Sequence, residues 1–86
     1  MDIEFDPAKD AANIAKHGVS LARAADLDIL AVLESNRAGE RRWRAYGILD
    51  GKTHCLAFAQ RNGRMRAISL RRATPKEMKR FTAPAS

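Results

Sequence analysis

The sequence is poor in the residues on which several classes of protein depend. It contains a single cysteine, Cys55, which cannot close a disulfide within the chain. Together with only two histidines, this cysteine cannot build a zinc site. No apolar run approaches the ~18 residues of a membrane span, and the first residues lack the basic segment and apolar stretch of a signal peptide. These absences predict a cytoplasmic protein that does not engage a membrane.

Common signatures of nucleotide binding and catalysis are missing as well. Aromatic residues make up 6% of the chain, which argues against a platform that stacks single-stranded bases. Neither a glycine-rich phosphate loop nor a nucleophile elbow is present. The 86 residues suffice for one domain, residues 1–86, because two cores would each be too small. Such a domain is expected to be marginally stable unless a partner covers more of its surface.

Acidic residues are scarce in the second half of the chain. Residues 1–36 carry three basic and seven acidic side chains, whereas residues 37–86 carry thirteen basic and three acidic ones. Eleven of the sixteen basic residues are arginine, whose planar guanidinium suits bidentate contact with phosphate. This asymmetry predicts a polyanionic partner, and nucleic acid before any other. A merely solvated surface would show the same charge balance.

The N-terminal half predicts a short strand followed by helices. Residues 3–5 alternate as a strand does. Asp6 and Pro7 are typical of a helix start and Gly18 of a helix end. The helix between them carries alanines on one face, namely Ala8, Ala11, Ala12 and Ala15.

A second short helix is expected to follow, capped by Ser20 and ending near Asp26. Its inward-facing residues are predicted to be Leu21, Ala24 and Ala25. Residues 29–33 suit either a strand or a continuation of this helix, and residues 35–39 suit a loop.

The C-terminal half predicts an antiparallel meander. Residues 42–49 alternate, with Trp43, Ala45 and Leu49 on one face and Arg42, Arg44 and Tyr46 on the other. The pairs Asp50-Gly51 and Asn62-Gly63 indicate hairpin turns, which separate strands at residues 53–61 and 64–72. Simple alternation in the last strand groups Arg64, Arg66, Ile68 and Leu70 against Met65, Ala67, Ser69 and Arg71.

A final helix completes an α+β fold with a largely antiparallel sheet. Thr74 and Glu77 have the spacing of a capping box, with Pro75 at the first helical position. This helix is expected to turn Met78 and Phe81 inward. Glu77 is thereby assigned to the cap and not to a functional site.

One reaction suits the side chains present in this sequence and needs no metal or other cofactor, namely cleavage of RNA by its own 2′-hydroxyl group. It requires a group that takes the 2′ proton, a cation for the phosphoryl oxygens and a proton donor for the leaving 5′ oxygen. His17 and Glu40 are candidates for base or acid. Arg66 and Arg71 are candidates for the cation.

Each candidate also has a structural interpretation. Lys16 and His17 can simply complement the dipole at a helix end. Glu40 can form a surface ion pair with Arg42, and Arg71 can pair with a carboxylate such as Glu77. His54 lies within a strand and is better explained as a packed or exposed histidine, and Trp43 and Phe58 as core residues.

Three stretches follow one another in order along the chain. They are Phe5-Asp6-Pro7-Ala8-Lys9 with Ala12-Asn13, Lys16-His17-Gly18-Val19-Ser20 and Ala24-Ala25; then Gly39-Glu40-Arg41-Arg42-Trp43 with Gly47; and finally Arg66-Ala67-Ile68-Ser69-Leu70-Arg71-Arg72-Ala73-Thr74 with Glu77. In this combination the chain resembles the BrnT family over about residues 5–81. It departs from the family at Phe5, where tryptophan is usual, and at Phe81, where the family usually has a tyrosine.

The resemblance implies a RelE-like fold: an N-terminal strand and two helices, an antiparallel meander and a C-terminal helix. It implies the toxin of a type II toxin–antitoxin system, a metal-independent endoribonuclease that cleaves RNA and inhibits translation. The implied partner is a BrnA-like antitoxin, which binds operator DNA and brings the toxin to it only through their complex. We expect catalysis from His17, Glu40, Arg66 and Arg71, and RNA binding from Lys16, Arg42, Arg61, Arg64 and Arg72.

Two other classes of function fit the same residues. One is a non-catalytic module whose arginines only bind nucleic acid. The other is an interaction protein whose basic face holds an acidic antitoxin without catalysis. A neighbouring short reading frame that encodes a DNA-binding antitoxin would favour the toxin.

Overall fold

One five-stranded sheet forms the centre of the protein. The computed structural model describes residues 3–35 and 39–82, with the side chains of the last helix described as far as Lys79. The elements in chain order are β1 (Ile3–Glu4), α1 (Pro7–His17), a 3₁₀ helix (Leu21–Asp26), β2 (Asp28–Glu34), β3 (Arg42–Leu49), β4 (Lys52–Arg61), β5 (Arg64–Arg72) and α2 (Pro75–Thr82). The sheet order is β1-β5-β4-β3-β2, with β1 parallel to β5 and the other pairs antiparallel. The predicted α+β class is confirmed, and residues 29–33 form a strand.

The predicted helix ends are present in α1. The Asp6 carboxylate accepts a hydrogen bond from the backbone N–H of Ala8 at 2.9 Å. Gly18 ends the helix in the left-handed conformation, with φ of +74°, which glycine adopts without strain. The alanine face, however, is exposed to solvent, and the buried residue of this helix is Asn13.

The second helix is a 3₁₀ helix, capped by the Ser20 hydroxyl as expected. Leu21 and Ala24 are buried, but Ala25 is exposed, so the prediction that it faces inward is wrong. The physical reason is the period of three residues per turn, which places Leu27 and not Ala25 on the buried face.

Both hairpin turns adopt the backbone that their sequences predict. Asp50 and Gly51 have φ of 52° and 76°, and Asn62 and Gly63 have φ of 53° and 74°. Positive φ at both central residues is the type I′ pattern, whose twist matches that of the flanking strands.

A bulge in β5 changes which residues share a face. Ala57 pairs with Ser69 while its neighbour Phe58 pairs with Ala67, so Ile68 is the extra residue. Simple alternation is therefore wrong beyond Ala67, because one inserted residue reverses the side of everything that follows it. Leu70 joins Ala67 in the core.

The main core lies between one face of the sheet and the 3₁₀ helix. Its central residues are Leu21, Ala24, Ala45, Leu56, Phe58 and Leu70. Trp43 stacks on Phe58 with ring centroids 5.7 Å apart. Both residues were predicted to pack in the core, and both do. On the other face a smaller cluster joins Tyr46, Cys55 and Ala73 to Met78 of α2. Met78 thus packs inward as predicted, whereas the prediction for Phe81 falls outside the described residues, as does most of the loop predicted at 35–39.

Candidate functional site

The face of the sheet that carries Tyr46 and Cys55 has a regular arrangement of side chains. The register of β3, β4 and β5 forms three rows across this face: Arg42–Ala59–Arg66, Arg44–Ala57–Ser69 and Tyr46–Cys55–Arg71. The central strand contributes only small side chains, while five of the six flanking positions carry long ones, the exception being Ser69. The face is therefore a trough with a low floor and arginines along both sides.

The end of α1 overhangs this trough and closes it into a cleft of about 300 Å³. Its lining includes the basic residues Lys16, His17, Arg42, Arg44 and Arg71, together with the hydroxyl-bearing Ser35 and Ser69. An opening walled by cations over small side chains can admit a phosphodiester and neutralise its charge.

His17 is the cleft residue suited to proton transfer near neutral pH. It is the last residue of α1 and is half-buried. Burial, and then the positive charges of Lys16 and Arg71, hold its pKa below the usual 6.5. At neutral pH the imidazole is therefore largely uncharged and can accept a proton.

Arg71 is part of a hydrogen-bonded network with Glu77 and Tyr46. Its guanidinium donates to both carboxylate oxygens of Glu77, at 2.7 and 3.0 Å, and the Tyr46 hydroxyl donates to the same carboxylate at 2.7 Å. The ion pair with Arg71 holds the pKa of Glu77 well below its usual range. Burial and the bond to Glu77 raise the pKa of Tyr46 to about 12. The capping box is also present, since Thr74 and Glu77 exchange both of its hydrogen bonds.

Glu40 lies next to β3 in an ion-pair cluster with two arginines. Its carboxylate accepts from Arg42 at 3.1 Å and from Arg61 at 3.4 Å. Hydrogen bonding to Arg42 is the main cause of its lowered pKa. Glu40 is consequently a carboxylate at neutral pH and can accept a proton but not donate one.

Four of the nine predicted site residues meet in the cleft. Lys16, His17, Arg42 and Arg71 line the cleft, and Arg66 shares the sheet row of Arg42. Arg61 and Arg64 face each other beside the β4–β5 turn. Arg72 lies at the other end of β5, where it lines a second cavity together with His17 and His54.

Arg44 is a basic cleft residue that was not among the predicted site residues. The alternation of residues 42–49 already placed it on the face of Arg42, and this signal could have identified it. Arg42 and Arg71 are paired with carboxylates. Among the described residues, no carboxylate forms an ion pair with Arg44 or Lys16, so their charge is available to an incoming anion.

His54 and Cys55 are buried, at 7% and 2% exposure. His54 is packed, as its strand position suggested, with Nδ1 2.8 Å from the carbonyl oxygen of Lys52. Burial raises the pKa of the Cys55 thiol, which is therefore a neutral part of the cleft floor.

Two kinds of feature are absent from residues 3–35 and 39–82, a cluster of metal ligands and a membrane-spanning helix. No three side chains of His, Cys, Asp or Glu converge as a metal site there. None of the helices in this part of the chain has the length and apolar character needed to cross a membrane.

Comparison with known proteins identifies the family. No curated protein matches the sequence. Residues 5–77 match the model of the family described as "Ribonuclease toxin, BrnT, of type II toxin-antitoxin system". The fold is similar to the 1.1 Å crystal structure of the Brucella abortus ribonuclease toxin BrnT, with a TM-score of 0.65 and 29% identity over 86% of this chain and 97% of that one. The chain therefore belongs to the BrnT family of ribonuclease toxins of type II toxin–antitoxin systems.

Proposed function

We propose that this protein is a toxin that cleaves RNA in the cleft between α1 and the sheet, without a metal ion, and so inhibits translation. The observation that carries the proposal is the position of His17. Burial and the positive charges of Lys16 and Arg71 lower the pKa of its imidazole, and Arg42, Arg44 and Arg71 line the same cleft. A proton acceptor among fixed cations is the arrangement that internal attack on a phosphodiester requires.

The proposed reaction is displacement by the 2′-hydroxyl of the substrate. His17 takes the 2′ proton as the oxygen bonds to phosphorus, and the bond to the 5′ oxygen breaks. The products are a 2′,3′-cyclic phosphate and a 5′-hydroxyl end, whose proton comes from the Lys16 ammonium. Arg44 and Arg71 stabilise the charge that accumulates on the phosphoryl oxygens.

Glu40 and Arg66 complete the proposed catalytic set. Glu40 is an ionised carboxylate at the end of the row that holds Arg42, and it is the second candidate to accept the 2′ proton. Arg66 adds positive charge on the opposite side of the trough. Arg42, Arg61, Arg64 and Arg72 extend the surface along which RNA binds.

The proposal includes a partner and a setting. The proposed toxin has the fold of the RelE-like superfamily and acts in the cytoplasm. A BrnA-like antitoxin that binds DNA holds it inactive, and the toxin reaches operator DNA only through their complex. We expect the antitoxin to cover the arginine-lined trough, because complementary charge favours that contact. Binding to the folded toxin would also stabilise it by mass action.

The test is induced expression of the toxin alone, followed by cleavage of purified RNA in EDTA. Growth arrest with loss of intact RNA, and cleavage that survives chelation, is the expected result. His17→Gln is expected to lower cleavage at saturating RNA by roughly a hundredfold, typical of losing a proton-transfer group. A loss of that size in Glu40→Gln, with His17→Gln fully active, would instead make Glu40 the group that takes the 2′ proton. Cleavage that EDTA abolishes and a divalent ion restores would contradict the metal-free mechanism.

The mode of inhibition has its own test. Arg42, Arg66 and Arg71 should become protected from arginine-specific modification when the antitoxin binds. An antitoxin that leaves these three reactive and covers only the acidic N-terminal side would exclude inhibition by occlusion.

A further inference from the structure

The Glu77 carboxylate is held from three directions. Both of its oxygens accept from the Arg71 guanidinium. Oε2 also accepts from the Tyr46 hydroxyl, and Oε1 from the backbone N–H of Thr74. The side chains of Arg71 and Glu77 are 26% and 16% exposed, so the network is largely shielded from water. A carboxylate with four donors in place has little freedom to move.

This fixed carboxylate in turn determines where the Arg71 guanidinium points. Arg71 lies near the end of β5, and Glu77 belongs to the first turn of α2. A guanidinium has five N–H donors in a rigid fork. Two bond to Glu77 and one to the carbonyl of Arg72, which leaves two for a ligand in the cleft that Arg71 lines.

Tyr46 supports the same geometry from across the sheet. It shares a cross-strand row with Cys55 and Arg71, and the side chain between them is the small Cys55. The Tyr46 hydroxyl thus reaches over the floor of the trough and donates to Oε2 of Glu77 at 2.7 Å. Strand β3, strand β5 and helix α2 therefore meet at one carboxylate.

We propose that Glu77 and Tyr46 are positioning residues of the ribonuclease site, which hold the Arg71 guanidinium toward the cleft and make the site depend on the docking of α2. The inference rests on the proposed function. It assigns to Glu77 a second role beside its helix cap. Neither Glu77 nor Tyr46 touches the substrate, and both act through Arg71.

The experiment measures single-turnover cleavage and RNA affinity for Glu77→Gln, Tyr46→Phe and Arg71→Ala, alone and in pairs with Arg71→Ala. Glu77→Gln and Tyr46→Phe are each expected to lower the rate at saturating RNA by roughly tenfold, with little change in affinity, since the lost effect appears in the transition state. Neither should slow Arg71→Ala further, because residues that act through one group are not additive. Thr74→Ala is the matched control: it removes the other half of the capping box and should cleave at the full rate.

The outcomes separate the two proposals. Full activity of Arg71→Ala would overturn the proposed role of Arg71 in the site, and with it this inference. If Arg71→Ala cleaves slowly while Glu77→Gln and Tyr46→Phe cleave at the full rate, the proposed role of Arg71 in the site is retained and the positioning role of Glu77 and Tyr46 is overturned. Equal losses in Thr74→Ala and Glu77→Gln would also overturn it, because the effect would then come from the helix cap. Circular dichroism confirms that each variant is folded at the assay temperature.

Discussion

The side-chain amide of Asn13 pairs with both backbone groups of Leu70. Its Oδ1 accepts from the Leu70 N–H at 3.1 Å, and its Nδ2 donates to the Leu70 carbonyl at 2.9 Å. Within the described part of the chain, strand β1 pairs with β5 at Met65 and Arg66. Farther along β5, the side chain of Asn13 supplies the hydrogen bonds to Leu70. The contact anchors α1 one turn before Lys16 and His17, and so sets the wall of the cleft.

Asn13→Ala should lower the free energy of unfolding by roughly 2–4 kcal/mol, because two buried backbone groups lose their partner. Urea unfolding measures the effect, with Lys9→Ala on the exposed side of the same helix as the control. We expect Lys9→Ala to lie within about 0.5 kcal/mol of the parent protein. A comparably small effect of Asn13→Ala would show that water replaces the amide at this edge.

Cleavage should depend on pH through His17. Because burial and nearby positive charge hold the pKa of His17 below its usual 6.5, the rate should rise with pH with a midpoint below 6.5. His17→Gln should give a low rate with no such rise. Lys16→Gln should move the midpoint upward, since a positive charge that lowers the pKa is gone. Single-turnover rates at subsaturating RNA across about pH 5–8 give these midpoints, because they report the pKa of the free protein. A midpoint above 6.5 would contradict the role of His17 as base.

Arg71→Ala should destabilise the fold as well as slow cleavage. Although Arg71 lies outside the main core, its loss leaves Glu77 without its main partner, and we expect about 1–3 kcal/mol less stability near neutral pH. The pKa of Glu77 is lowered by folding, so the contribution of the pair is present above the unfolded value near 4.5 and fades as the pH falls below it. Urea unfolding at about pH 7 and pH 3 should therefore show the difference between parent and variant shrinking in acid. A difference that stays constant would exclude the ion pair as its source.

Arg64 and Arg44 should separate RNA binding from catalysis. Arg64 is 71% exposed at its side chain, so Arg64→Ala should weaken RNA affinity and its salt dependence while leaving the rate at saturating RNA unchanged. Arg44 lies within the cleft, and Arg44→Ala should lower the saturated rate by roughly tenfold or more. Affinity titrations at several salt concentrations, beside single-turnover cleavage, test both. An unchanged rate in Arg44→Ala would place the phosphate elsewhere.

Local signals in the sequence predicted the elements well. Helix caps at Asp6, Ser20 and Thr74 depend on hydrogen bonds between residues two or three positions apart. The Asp50-Gly51 and Asn62-Gly63 turns depend on residues that tolerate positive φ. Such interactions form between residues close in sequence, so they can be predicted without the rest of the fold.

Small departures from regular geometry were not visible in the sequence. The bulge at Ile68 reversed the faces of the residues after it, and the 3₁₀ period moved Ala25 to the surface. Both follow from how neighbouring elements pack, because a register shift of one residue changes local hydrogen bonding only slightly but reassigns every side chain beyond it.

The sequence by itself determined the family resemblance, the basic C-terminal half, the order of elements and the polar residues from which a ribonuclease site can be built. Only the tertiary structure decided which of these residues meet. Asn13 reaches Leu70 across 57 positions of sequence and Tyr46 reaches Glu77 across 31, and neither pairing has a local signature. The same holds for the cleft, since the trough between the arginines exists only when small side chains of β4 come into register with β3 and β5. Contacts between distant parts of the chain depend on strand register and on the burial that the whole sheet provides, and these are properties of the assembled fold.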